Sequence, residues 1–242
     1  MDVCSAIYGA HGEESERYQF IYRTMRPEHK ALCVLSGGLD SGVCLGIAKS
    51  QYKEVFTIFF NYGQKTYAKE KECVEKLVTF YGIQNHTEID ITWLKSFGVS
   101  ALFDKKVQLT KENFTLEYVP FRNSIFLSIA TALAESKKIQ HIFVGSTGGD
   151  HICPDNSPAY LKAFQTVIQE GTLLIKNITI EAPLIKTDKT GAVKMGTKLG
   201  VPFQYTWSCH NAEEKACRTC SNCTARLEAF TENQLSDPIA YV

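Results

Sequence analysis

The chain has 242 residues, 44% of them hydrophobic, and its 26 basic and 26 acidic residues cancel. That size and apolar content exclude both a disulfide-stapled miniprotein and a disordered chain, and leave room for one large or two small globular units. Zero net charge supplies no global field for a polyanion, which disfavours domain-wide attraction to nucleic acid or to a membrane surface.

Nine cysteines are an odd number, and no charged segment leads into an apolar leader with a small-residue cleavage site. Both fit a reduced, cytoplasmic compartment, where clustered cysteines tend to be metal or catalytic sites. The longest uncharged apolar run, Asn123 to Ala134, is about a dozen residues, short of the roughly 20 needed to cross a bilayer. A soluble protein is expected.

Residues 1–29 are polar and mixed, with an aromatic stretch at Tyr18, Phe20 and Tyr22, and read as an N-terminal extension. From Ala31 a short apolar run ends in Gly37-Gly38, and helix-compatible residues follow to Lys49: a buried strand, a tight turn and a helix. Val55 to Phe60 reads as a second strand, Thr66 to Phe80 as a helix with Cys73, Leu77 and Phe80 inward, and His86 to Ile91 as a third strand. Residues 92–120 carry no clean period, and long stretches of that kind are uncommon unless functional or partly ordered. Helix Asn123–Lys137, strand His141–Ser146, helix Ala159–Glu170, strand Ile178–Ala182 and helix Lys189–Leu199 complete the alternation. Strands alternating with helices predict an α/β, Rossmann-like parallel sheet covered on both faces. The domain reading is an extension over 1–29, a nucleotide-handling unit over 30–205 and a metal-binding region over 206–242.

Ser36-Gly37-Gly38-Leu39-Asp40-Ser41-Gly42 lies between strand and helix. Adjacent glycines let successive N–H groups turn into one concavity, and the helix start adds its positive end, which suits a phosphate or pyrophosphate. Neither the G-x-x-x-x-G-K-[ST] nor the G-x-G-x-x-G spacing is present. Ser36 to Ser41 instead match, at every fixed position, the SGGxDS loop of the N-type ATP pyrophosphatases, the PP-loop superfamily. The second feature is Cys209-x₇-Cys217-x₂-Cys220-x₂-Cys223. Two C-x-x-C steps sharing a cysteine, closed by Cys209, make a tetrahedral S₄ set, which fills the coordination of a structural zinc. An iron–sulfur cluster uses the same ligation. His210 reads as a surface or neighbouring residue rather than a ligand.

Together with Asn61-Tyr62-Gly63-Gln64, Val119-Pro120-x-Arg122-Asn123, Pro154-Asp155, Pro183-Leu184 with Lys189, and Thr206-Trp207-Ser208-Cys209, these motifs resemble the QueC family, the 7-cyano-7-deazaguanine synthases, in order from about Ala31 to Phe230. The resemblance implies an ATP-dependent carbon–nitrogen ligase that adenylates 7-carboxy-7-deazaguanine, takes ammonia to the amide, and dehydrates the amide to the nitrile with a second ATP. It implies ATP at Leu35, Ser36, Gly37, Gly38, Leu39, Asp40, Ser41, Gly42, Asn61, Tyr62, Gly63 and Gln64, with Mg²⁺ at Asp40. Catalysis is then expected from Asp40, Ser41, Arg122 and Lys189, substrate binding from Arg122, Asn123, Asp150 and Asp155, and structural zinc from Cys209, Cys217, Cys220 and Cys223. Arg122 could clamp phosphate or carboxylate in bidentate fashion; Asn123 reads alternatively as an N-cap. A homodimer and no membrane partner are expected.

Two departures stand out. Phe121 occupies the place where the family usually has glycine, and residues 146–155 replace the usual acidic and aromatic loop. Both fall where the adenylate would meet its acceptor, so two alternatives stay open: a QueC-like paralogue that stops at the amide or transfers the deazaguanine to another amine such as a partner protein, as in defence-system relatives, and a non-catalytic zinc-knuckle module that binds RNA.

Overall fold

The computed structural model describes residues 30–98, 100–148, 153–175 and 177–242. The extension 1–29 and the candidate Asp150 lie outside the described residues. Five strands, β1 (Lys30–Val34), β2 (Glu54–Asn61), β3 (Asn85–Asp90), β4 (His141–Phe143) and β5 (Thr179–Glu181), form one sheet in the order β3-β2-β1-β4-β5. All four pairings are parallel. The helices are α1 (Leu39–Gln51), α2 (Tyr67–Phe80), α3 (Arg122–Lys137), α4 (Pro158–Gly171), α5 (Lys189–Lys198) and α6 (Ser221–Glu232).

The strands are apolar on both sides because both sides are covered. In β1, Ala31 and Cys33 join one core with Val43 and Ala48 of α1 and Val193 of α5, while Leu32 joins a second core with Leu127 and Ala130 of α3 and Leu161 of α4. In β2, Val55 and Phe59 face the first core and Phe56, Ile58 and Phe60 the second. This period-2 split is what a parallel sheet between two helical layers requires. Trp207, Cys209, Cys220 and Cys223 belong to the second core, so the C-terminal segment packs on the sheet domain rather than standing apart. The chain leaves β1 toward β2 on one side and returns through β4 on the other. The crevice at the carboxyl ends of β1 and β4 is therefore the switch point where open α/β sheets bind ligands.

Two expectations need correction. β4 ends at Phe143 rather than Ser146, because Gly145 lies against the start of α1, where a Cβ would stand 2.9 Å from the Ser41 nitrogen. Phe80 is 52% exposed and packs edge-on against Tyr81 and Tyr205 at the surface, whereas Cys73 and Leu77 are buried as read. Residues 92–120 contain two short 3₁₀ turns, Thr92–Phe97 and Phe114–Glu117. No helix is long and apolar enough to cross a membrane among the described residues.

Candidate active site

A cleft of about 810 Å³ opens at the switch point, within the range of small-molecule sites. Its floor is the turn after β1. Gly37 has φ +76°, and a Cβ there would lie 2.6 Å from the Glu70 carbonyl oxygen, so both the turn and the close approach need glycine. The Ser36 and Ser41 hydroxyls lie 3.0 Å apart; Ser41 Oγ accepts from the Ser36 N–H at 3.2 Å and donates to the Gly38 carbonyl at 3.1 Å. Gly38 caps α1 without a side-chain bond, which leaves the first helical N–H groups to an anion in the cleft.

Asp40, in the first turn of α1, meets Lys189, the first residue of α5, with Lys189 Nζ 2.7 Å from Oδ2. A cation at a helix N-terminus is electrostatically unfavourable, and this contact offsets it. The neighbouring Asp188 caps α5 by accepting from the Gly191 N–H at 2.8 Å. Asp40 Oδ1 is buried with no hydrogen-bond partner, an acceptor left over at the cleft wall.

The Asn61–Gln64 segment divides its labour. Asn61 donates to Asp90 Oδ2 at 2.9 Å and accepts from the Gly63 N–H at 3.1 Å, so its amide shapes the turn. Tyr62 and Gln64 face the cleft. Gln64 accepts from the Tyr62 N–H and donates to Glu70 Oε2 at 2.9 Å, and Thr66 Oγ1 donates to Glu70 Oε1 at 2.6 Å. Burial pushes the Glu70 carboxyl above its ordinary range even with these donors, which lower it.

Arg122 lies over the Tyr62 ring at 5.2 Å and near Phe126 at 5.8 Å, and donates to Tyr62 Oη at 3.3 Å. Stacking of this kind fixes a guanidinium plane without neutralising it. Asp155 acts as a cap supplied from a distant segment: its carboxylate accepts from the Asn123 and Ser124 N–H groups at 2.9 and 3.2 Å, and from the Asn123 amide at 3.2 Å. The residue in the N-cap position of α3 is Phe121, with φ +56°, and Asn123 stands inside the first turn. That left-handed backbone is one that glycine adopts without the strain an L side chain carries.

The four cysteine sulfurs lie within 4.8 Å of one another. Cys217 Sγ and Cys223 Sγ are 3.9 Å apart, close to the tetrahedral edge of about 3.8 Å that follows from a Zn–S bond of about 2.3 Å. Hydrogen bonds from the Cys220 and Cys223 thiols and from the N–H groups of Cys217 and Asn211 hold Cys209 well below the usual thiol range. Such donors stabilise thiolate, the form that binds metal. By contrast, burial drives the Cys33 and Cys44 thiols far up, so they belong to the core as read from the sequence.

Several functional neighbours escaped the sequence reading. Glu117, buried in the cleft wall, accepts from Ser221 Oγ at 2.6 Å and from the Asn222 amide at 3.2 Å, and pairs with His210 Nδ1 at 3.1 Å. Its burial would raise the carboxyl, but the His210 and Ser221 bonds prevail and hold it below the ordinary range. His210 is thus a partner of the cleft wall. Trp207 lines the cleft, donates its backbone N–H to the Gly37 carbonyl at 2.8 Å, and carries Lys69 over its ring at 5.2 Å. These pairs join residues far apart in the sequence, and no local period marks them. The only local signal was the position of Trp207 and His210 beside Cys209.

The model of the family described as queuosine biosynthesis protein QueC matches residues 30–234. The chain belongs to the QueC family. A 7-cyano-7-deazaguanine synthase of Sulfurovum sp. (strain NBC37-1) is 40% identical over 217 residues, covering 88% of this chain and 98% of its own. Another, from Methanospirillum hungatei JF-1, is 38% identical over 88% of this chain and 99% of its own. The U34-tRNA thiolase NcsA from Methanococcus maripaludis, solved with its [4Fe-4S] cluster, superposes with a TM-score of 0.50 at 15% identity, covering 90% of this chain and 72% of that one. The latter likeness concerns the fold alone. In this QueC chain the Ser36–Ser41 loop, Lys189 and Arg122 share one cleft with Trp207 and Ser208.

Proposed function

We propose that this chain is a 7-cyano-7-deazaguanine synthase: an ATP-dependent ligase that adenylates 7-carboxy-7-deazaguanine and carries it with ammonia, through the amide, to the nitrile, releasing AMP and pyrophosphate. The observation that carries the reading is the preformed Ser36–Ser41 loop with the Asp40–Lys189 pair at one end of a cleft that also holds Arg122, in a chain whose named relatives are such synthases.

A carboxylate is a poor acyl donor because oxide would have to leave; adenylation makes AMP the leaving group. The carboxylate oxygen attacks the α-phosphorus, the bond to the β-phosphate breaks, and pyrophosphate departs onto the Ser36 and Ser41 hydroxyls and the α1 N–H groups. Lys189 supplies positive charge there, and Arg122 orients the carboxylate or α-phosphate as a planar fork. Ammonia then adds at the acyl carbon, AMP leaves and a proton is lost. The amide oxygen attacks a second ATP in the same way, and loss of AMP and a proton gives the nitrile. No enzyme nucleophile is required, consistent with the inert Cys33 and Cys44.

Asp40 Oδ1 is the oxygen that would hold Mg²⁺, which when bound neutralises the leaving pyrophosphate. The four cysteines would hold one Zn²⁺: their mutual distances leave room for a single ion at the centre rather than a four-iron cube, and four sulfurs close the coordination to water. In this proposal residues 30–205 form the PP-loop unit and 206–242 a zinc-binding tail on an enzyme with a 1–29 extension. The enzyme works as a cytoplasmic homodimer. Of the acyl-group acceptors, ammonia is the one adopted; Asp155, engaged in capping α3, orders the substrate wall through Asn123. Incubation with ATP, ammonia and 7-carboxy-7-deazaguanine tests the assignment: a free nitrile is expected, and an accumulating amide or a mass increase on a co-expressed protein would redirect it.

A further inference from the structure

The cysteine knuckle grips one wall of the cleft. The side chains next to the cysteines in sequence reach residues of the 100–118 segment. Asn211, two residues after Cys209, exchanges two hydrogen bonds with Leu109: its Oδ1 accepts from the Leu109 N–H at 2.8 Å and its Nδ2 donates to the Leu109 carbonyl at 2.7 Å. The same residue donates its backbone N–H to Cys209 Sγ at 3.3 Å and its amide to Cys217 Sγ at 3.4 Å. It therefore joins two sulfurs to the segment directly. A second grip lies at Glu117, where His210, Ser221 and Asn222, each adjacent to a cysteine, converge on one carboxylate.

The gripped segment has one 3₁₀ turn of its own, Phe114–Glu117, yet it contributes Leu102, Phe114, Glu117 and Tyr118 to the cleft. Lys65 adds a third tie, donating to the Val107 carbonyl at 2.6 Å. A segment with so little regular structure takes its order from such external ties. When the four sulfurs are gathered on an ion, the residues beside them are held at fixed spacing; ungathered thiolates repel and that spacing is lost.

We infer that the metal knuckle fastens the 100–118 wall of the substrate cleft, with Asn211 as the positioning residue that transmits the state of the sulfurs to Leu109. The ATP phosphates, in the reaction proposed above, sit on a loop tied within itself and to Trp207 rather than to 100–118. The wall therefore acts on the carboxylate substrate rather than on ATP.

The test compares amide hydrogen exchange in the zinc-loaded parent, the chelator-stripped parent and zinc-loaded Asn211→Ala. Exchange across 100–118 is expected to quicken by about tenfold or more in the last two; in Asn211→Ala, zinc content is retained and β1 and β2 exchange as in the parent. In turnover, Asn211→Ala should raise KM for the carboxylate by about tenfold and leave KM for ATP within about twofold. Parent-like exchange across 100–118 in Asn211→Ala, or an unchanged carboxylate KM, overturns the inference. If the stripped protein aggregates, the zinc-loaded variant decides. The kinetic arm rests on the proposed reaction; a parent that makes no pyrophosphate would defeat that reaction while the exchange arm still judged the fastening.

Discussion

Phe121 shows what one residue can carry. Its backbone is left-handed at φ +56° and its ring, 60% exposed, meets Tyr160 edge-on at 6.3 Å. A left-handed L-residue costs roughly 1–2 kcal/mol, so Phe121→Gly should be more stable than Phe121→Ala by about 1 kcal/mol in urea unfolding, because both lose the ring and only glycine sheds the strain. Equal midpoints would remove strain from the account. At Asp40 the prediction is chemical. Asp40→Asn keeps the shape, loses the charge that faces Lys189, and should lower pyrophosphate release at least about a hundredfold with circular dichroism unchanged. Glu117 gives a pH signature. Its folded carboxyl lies below the ordinary value, so its stabilisation is full above the unfolded value of about 4.3 and is lost as pH falls through the lowered folded value. Glu117→Gln should flatten stability against pH in that acid window, measured by urea midpoints between pH 7 and pH 3; an unchanged slope would refute the role of its bonds.

At the scale of elements, the β1–loop–α1 unit was legible because its signals are local. An apolar run, two glycines and a helix start lie within a dozen or so residues, and the loop geometry follows from the turn itself. The alternation of strand and helix likewise reads from hydrophobic period, though β4 is shorter than its apolar run because α1 crowds Gly145. What could not be read are contacts between distant segments. Asp155, expected in substrate binding, lines the cleft and also caps α3 through Asn123 and Ser124, a contact that no local pattern marks. Arg226 is the clearest omission: fully buried in α6, it binds Asp237 through Nε at 2.7 Å and Nη2 at 3.0 Å, donates to Thr206 Oγ1 at 2.8 Å, and stacks on Phe230. Tyr241 Oη donates to the same Asp237 at 2.5 Å, so this bidentate pair staples the C-terminal residues under the knuckle. Removing one partner of a buried pair strands the other. Arg226→Met should therefore destabilise by about 3–5 kcal/mol, and a loss below about 1 kcal/mol would show that the pair is solvated.

For the whole molecule, the nine cysteines and the zero charge of the composition acquire separate meanings. Four sulfurs form the knuckle, while Cys33, Cys44 and Cys73 are buried in the two cores, Cys73 with its thiol pushed up to about 11. Because the knuckle shares a core with α3 and the cleft wall, its loss should affect the entire fold. Cys220→Ser is expected to lower both metal content and the thermal midpoint; parent-like values for both would dismiss a structural metal. Neutrality fits a protein that gathers positive potential only locally, from Lys189, Arg122 and the start of α1, around a small anionic ligand. The most direct measurement is product analysis with purified protein, ATP, ammonia and 7-carboxy-7-deazaguanine. Pyrophosphate, AMP and a nitrile with the mass of 7-cyano-7-deazaguanine are expected; no pyrophosphate above the substrate-free control would contradict the proposed ligase.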